Sequence, residues 1–180
     1  MKKFELTTES ITNEAGKKLF RIKALIDFGD VKAGEPGGYV EKEGNVSQDD
    51  NAWVSGDAEV FGNAKVYDNA WVSGDAKVYD NARVSGNAWV SGDAWVSGDA
   101  LVFGDADYAL VQGFGTEFRC TTFYRGKNKK IMVNCGCFHG DLEGFRKQVK
   151  ETRNGKIAKE YLMIADLMEY HFTSEDSSDE

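Results

Sequence analysis

Residues Asn51 to Gly104 read NAWVSG DAEVFG NAKVYD NAWVSG DAKVYD NARVSG NAWVSG DAWVSG DALVFG. These are nine hexapeptides without an insertion, each of the form Asn/Asp-Ala-x-Val-x-Gly/Asp. A short repeat sustained this long means that no unit buries its apolar face alone, so units must stack. Within Ala52-Trp53-Val54-Ser55 the pattern alternates with a period of two, as in a strand buried on one side. Ala52, Val54, Ala58, Val60, Ala64 and Val66 share one parity and face inward. The pairs Gly56-Asp57 and Asp68-Asn69 tolerate left-handed backbone and turn the chain. Four residues of strand and two of turn, repeated, predict a solenoid. A helix would not survive a Gly/Asp/Asn pair every six residues.

The pattern resembles the hexapeptide repeat of left-handed parallel β-helix proteins, with an aliphatic residue followed four positions later by a small one, as in Val54–Ala58 and Val60–Ala64. The resemblance implies left-handedness and triangular coils of three hexads, so nine hexads make three coils. At the outward position after the aliphatic this chain carries Ser55, Phe61 and Tyr67, where the family has a small or acidic residue. Handedness follows from the resemblance alone.

Eighteen residues per coil sort the outward positions into columns. One holds Trp53, Trp71 and Trp89 beside Ser55, Ser73 and Ser91. A second holds Glu59, Lys77 and Trp95 beside Phe61, Tyr79 and Ser97. The third holds Lys65, Arg83 and Leu101 beside Tyr67, Ser85 and Phe103. With coils ~4.8 Å apart, the tryptophans form a ladder. At ~150–250 Å² per aromatic, that ladder exceeds what a monomer leaves bare. Either the chain's own termini cover it, or it is an interface. The interface set is Trp53, Trp71, Trp89, Trp95, Phe61 and Tyr79, and the family's face-to-face trimers imply a homo-oligomer, trimer or dimer.

The chain has 180 residues, 29% charged and 12% aromatic, with net charge −8. That balance fits one or two globular domains and opposes wholesale binding to a nucleic-acid backbone. No apolar run marks a signal peptide at Met1–Glu5 or a membrane span elsewhere. Three cysteines, all within residues 120–137, do not form a disulfide framework. The expected compartment is a bacterial cytoplasm.

Residues 1–32 predict a β-hairpin, Phe4–Thr7 and Leu19–Ile26 about a turn at Asn13–Gly16, capping one end of the solenoid. Residues 33–50 have the length of one imperfect opening coil, so the β-helix spans 33–107 in three to four coils. Its Gly-Gly-Tyr-Val run lacks the Gly-Lys-Ser/Thr ending of a phosphate loop. Residues 108–172 form a small α+β domain: strands near 108–113, 119–124 and 130–135, then two helices. Asp141 is the N-cap of the first, with Leu142, Phe145 and Val149 on its inner face. The second turns Ile157, Tyr161, Ile164 or Ala165, Met168 and Phe172 inward. Residues 173–180 form a disordered acidic tail. The fold class is therefore mainly β: a β-helix with an N-terminal hairpin cap and a C-terminal α+β domain.

Gly136-Cys137-Phe138-His139-Gly140-Asp141-Leu142-Glu143-Gly144-Phe145 resembles a stretch in the small C-terminal domain of uncharacterised phage and prophage hexapeptide-repeat proteins. Asp141 and Gly144 depart from that group's usual Thr and acidic residue. Gly37-Gly38-Tyr39-Val40 followed by Asn/Asp-Ala-x-Val repeats looks like the same group, which brings no settled activity with it.

Three chemistries are weighed. Hexapeptide acyltransferases use a loop that breaks the coils and a His general base; residues 51–104 contain neither. Cys120, Cys135, Cys137 and His139 are candidate zinc ligands if 135, 137 and 139 share a strand face, or else core cysteines. Arg119, Arg125, Lys127 and Lys130, with Phe123 and Tyr124 for stacking, read as a nucleotide or anion site, or else as a solvated basic face. No cofactor is implied. The expectation is a non-catalytic, self-associating phage accessory protein. It would bind a host protein or nucleotide, possible interference with host defence included; the alternatives are an acyltransferase and a virion scaffold.

Overall fold

The computed structural model describes residues 2–104, 107–117 and 120–173, the side chain of Asn128 excepted. The chain divides into two compact units, Met1–Asp105 and Ala106–Glu180.

The first unit is a β-solenoid of about four turns. Nine two-residue strands follow the hexads: β4 (Trp53–Val54), β5 (Glu59–Val60), β6 (Lys65–Val66), β7 (Trp71–Val72), β8 (Lys77–Val78), β9 (Arg83–Val84), β10 (Trp89–Val90), β11 (Trp95–Val96) and β12 (Leu101–Val102). They pair in parallel at a spacing of one coil, giving faces β4-β7-β10, β5-β8-β11 and β6-β9-β12, called first, second and third below. The strands β4 to β9 hand their backbone N–H groups to the next coil, as in Trp53 N–H to Ala70 O at 3.0 Å and Ser55 N–H to Val72 O at 2.9 Å. The interior is the Ala/Val parity: from Ala52 to Ala100 every one of these side chains is fully buried. A valine contributes roughly 1.5–3 kcal/mol when fully buried, and each also packs on the identical residue one coil away.

The sixth hexad position takes a left-handed backbone. Gly56, Gly62, Gly74 and Gly86 have φ of +63° to +69°, and Asp68 and Asp80 adopt +57° and +60° in the same role. Aspartate is tolerated there partly because its carboxylate is used: Asp68 Oδ2 accepts from Gly86 N and Asp80 Oδ2 from Gly98 N, both at 3.1 Å. On the turns, Asn51, Asn69 and Asn87 bond in a ladder, as do Asn63, Asn81 and Asp99.

The N-terminal hairpin is β1 (Phe4–Thr12) and β2 (Lys18–Ala24); β3 (Pro36–Val40) follows. The hairpin prolongs the second face, whose sheet runs β1-β2-β3-β5-β8-β11. β3 joins β5 in parallel while β2 joins β3 antiparallel, so the parallel ladder is closed by a hairpin. β1, the outer edge, carries an irregularity between Leu6 and Ser10, a device that discourages further pairing.

The opening coil is longer than its sequence length suggests. Tyr39 pairs with Glu59 and Val46 with Val66, offsets of 20 residues, whereas Trp53 to Trp71 is 18. The two extra residues fall between Val46 and Val54, and the N-terminus holds that bulge. Lys3 Nζ donates to the carbonyls of Asp49 (3.0 Å), Asp50 (3.3 Å) and Ala52 (2.8 Å). Gln48 Oε1 accepts from the backbone N–H of Lys3 and Phe4, and its amide donates back to Phe4 O.

The second unit is a four-stranded antiparallel sheet with two helices. Its strands are β13 (Tyr108–Val111), β14 (Thr121–Arg125), β15 (Ile131–Cys135) and β16 (Phe138–Asp141), paired in that order. α1 (Leu142–Thr152) and α2 (Gly155–Thr173) follow. Asp141 caps α1, its Oδ1 accepting from Gly144 N at 2.9 Å. Leu142, Phe145 and Val149 from α1 meet Tyr161, Ile164, Ala165, Met168 and Phe172 from α2 in one core with Phe123, Ile131 and Val133. Arg146 ties the helices together through Glu143, Asp166 and Glu169 at 2.6–2.9 Å. Burial works against its charge, but the hydrogen bonds to those three carboxylates outweigh it and hold its pKa above the ordinary value. No described helix is long and apolar enough to cross a membrane.

Candidate functional site

The tryptophan ladder is not one continuous surface. Trp53 is fully buried, with Phe4 and Phe28 meeting its indole edge-on at centroid distances of 6.2 and 5.3 Å. The chain's N-terminal segment therefore covers the first rung, and Trp53 leaves the interface set. Its Nε1 has no hydrogen-bond partner among the described residues. Trp71 is half-buried and Trp89 is 59% exposed, their rings 6.4 Å apart. The serine column explains how the indoles are held: Trp71 Nε1 donates to Ser55 Oγ at 2.9 Å and Trp89 Nε1 to Ser73 Oγ at 3.1 Å. Each indole thus leans back onto the preceding coil.

The basic site of the C-terminal domain is not assembled. Tyr124 and Phe123 are fully buried, so neither can stack a base. Arg125 lies 2.6 Å from Asp107 and over the Phe172 ring, and Lys130 faces Asp141 at 3.6 Å. Lys127 is exposed, and Arg119 lies outside the described residues.

The cysteine motif is a turn rather than one strand. Cys135 pairs with Phe138 and Asn134 with His139, leaving Gly136-Cys137 as a two-residue hairpin loop with Gly136 at φ +60°. Glycine first in the loop is the signature of a type II′ turn. Cys135, Cys137 and His139 therefore do not share a strand face, and the described residues hold no group of three His, Cys, Asp or Glu placed for a metal. Cys137 is exposed, which also removes it from the core reading; Cys135 is half-buried and its Sγ accepts from Thr121 Oγ1 at 3.1 Å. His139 Nδ1 contacts Asn134 Oδ1. A cavity of about 320 Å³ beside this hairpin is lined by Cys137, His139, Arg153 and Tyr161 among others.

The feature that sequence reasoning missed is a groove on the second face, about 790 Å³ in volume, walled by the β1–β2 turn. Phe61 and Tyr79 stack within 4° of parallel at 5.1 Å, and Trp95 lies on the next coil. Lys77 Nζ stands 5.2 Å from the Trp95 centroid, 3.5 Å from Glu14 and 3.9 Å from Glu59. Glu59 also accepts from Asn13 Nδ2 at 3.0 Å. Asn13 in turn shapes the turn, its Oδ1 accepting from Ala15 N and Lys17 N. Nearby, the Gly62 N–H and Lys17 stabilise the Glu41 carboxylate; the backbone bond is the larger effect and holds its pKa below the usual range. The 18-residue spacing put Phe61, Tyr79 and Trp95 on one face; the turn that walls them comes from the hairpin's length.

These features define a β-solenoid repeat protein with a small α+β domain. The family described as YdcK Beta solenoid repeat matches residues 76–92, the stretch from β8 to β10, which places the chain's likeness in the coils. Comparison with curated proteins finds no match.

Proposed function

We propose that this protein is a non-catalytic, self-associating β-solenoid whose copies pack through the apolar corner of the last coil. One observation carries the reading. Trp89 (59% exposed), Leu101 (46%) and Phe103 (68%) are the outward hydrophobic residues of the first and third faces in that coil. The preceding coil has Arg83 where the last has Leu101, so apolar surface gathers at one end of the stack. Rings of ~150–250 Å² held on a rigid scaffold are what an interface between copies uses.

The uninterrupted coils, with no histidine in 51–104, favour binding over acyl transfer. The finer reading is a phage or prophage accessory protein that acts in a bacterial cytoplasm on a host macromolecule, such as a component of host defence. It rests on the resemblance of the Gly136–Phe145 stretch. A virion scaffold is the version of the same reading without a partner.

Sedimentation velocity at micromolar concentration tests it. The expected wild-type mass is two or more times 19.9 kDa, and Trp89→Asp with Leu101→Asp is expected to give the monomer. A monomeric wild type overturns the proposal.

A further inference from the structure

We infer that the second-face groove binds a neutral oligosaccharide. Its volume, about 790 Å³, is in the range of small-ligand sites, and its lining combines ring faces with amides and carboxylates.

Charge decides among the ligand classes. The acids at the groove are Glu14, Glu59, Asp80 and Asp99, against Lys17 and Lys77. An anion such as a nucleotide phosphate meets this excess of carboxylates and is repelled. A cation finds its place taken, because Lys77 already occupies the position over Trp95 between Glu14 and Glu59. What remains is a neutral ligand with one apolar face and several hydroxyls, the description of a pyranose chain.

The groove has the groups to read one. Tyr79 is half-buried, and its hydroxyl makes no hydrogen bond to another described residue. Asn63, Asn81 and Asp99 are joined edge to edge at 3.2 Å, yet each rung keeps spare donor or acceptor capacity. Such a row matches successive hydroxyls along a sugar chain, while the parts of Tyr79 and Trp95 left exposed beside Phe61 and Lys77 give apolar contact for its C–H side. The backbone of Asn63 and Asn81 is fixed by hydrogen bonds to the following coil, Asn63 N–H to Asp80 O at 2.7 Å and Asn81 N–H to Gly98 O at 3.0 Å, so little ordering is needed on binding.

Saturation-transfer NMR and calorimetry on the full chain, with maltotriose, cellotriose and tri-N-acetylchitotriose as probes, test the inference. AMP and trilysine are the comparison ligands. At least one trisaccharide is expected to give a saturable signal, about tenfold weaker in Tyr79→Ala, which is ~1.4 kcal/mol. Tyr79→Phe, which removes one hydroxyl and keeps the Phe61 stack, is expected to weaken it severalfold. The inference is overturned if no trisaccharide binds, if neither Tyr79 variant changes binding, or if AMP or trilysine occupies the groove instead.

Discussion

Lys3 carries a positive charge into the interior, where its ammonium meets three carbonyls and sits 4.8 Å from the Phe28 ring. Burial lowers its pKa from 10.5 to about 8, against the opposing pull of Asp50 and Asp49. The folded pKa lies below the unfolded one, so between pH 8 and 10.5 the unfolded chain binds more protons and stability rises with pH. Below pH 8 both forms are protonated and the penalty is complete. Urea unfolding of wild type and Lys3→Met between pH 7 and 10.5 isolates this effect. The difference in unfolding free energy should grow in favour of wild type as pH rises, by up to about 3 kcal/mol. A difference independent of pH would mean that Lys3 is not desolvated. Nothing in Met1-Lys2-Lys3 foretells this role, because the carbonyls that Lys3 closes lie more than 45 positions away. Cover by the chain's own termini was one of the two readings of the tryptophan ladder, but which rung is covered was not legible, because the rings over Trp53, Phe4 and Phe28, are distant in sequence.

At the level of strands, the hexad was legible because period two and the obligatory turn residue are local properties. The columns followed from arithmetic alone, and the structure pairs Lys65 with Arg83 and Glu59 with Lys77. The Cys135–His139 stretch was misread because a two-residue loop occupies no more sequence than continued strand. Only Gly136 hinted at it, and a glycine alone does not choose between a turn and a bulge. The Lys65–Arg83 pairing makes a prediction. Both side chains are exposed, and like charges directly across a sheet are destabilising. Arg83→Glu would turn the pair into the arrangement seen at Glu59–Lys77. It is expected to stabilise the protein by about 0.5 kcal/mol, roughly 1–2 °C in Tm, with the gain fading at 1 M salt. A lower Tm at low salt would show that Arg83 has another task, such as holding an anion.

For the molecule as a whole, a solenoid's stability is a sum over neighbouring coils, so damage should weigh most in the middle of the stack. Gly74 is the place to test this. Its φ is +69°, and a Cβ there would lie 3.0 Å from Gly92 N and 3.2 Å from Gly92 O, both backbone atoms. The same residue passes its carbonyl to Asp57 N, while Asp75 N bonds Gly92 O, so coils on both sides depend on this turn. Gly74→Ala therefore combines left-handed strain with a push on the next coil, and a cost of about 2–3 kcal/mol is expected. Asp80→Gly is the control. It relieves the same strain at the price of one carboxylate bond to Gly98 N, and it should change stability by under about 1 kcal/mol. Hydrogen exchange supplies the spatial readout: in Gly74→Ala, protection should fall at Trp53, Ser55, Trp71 and Ser73, whose N–H groups span the two interfaces around the lesion. Loss confined to residues 73–75 would mean that the coils are independent, and the nearest-neighbour account of this solenoid would be wrong.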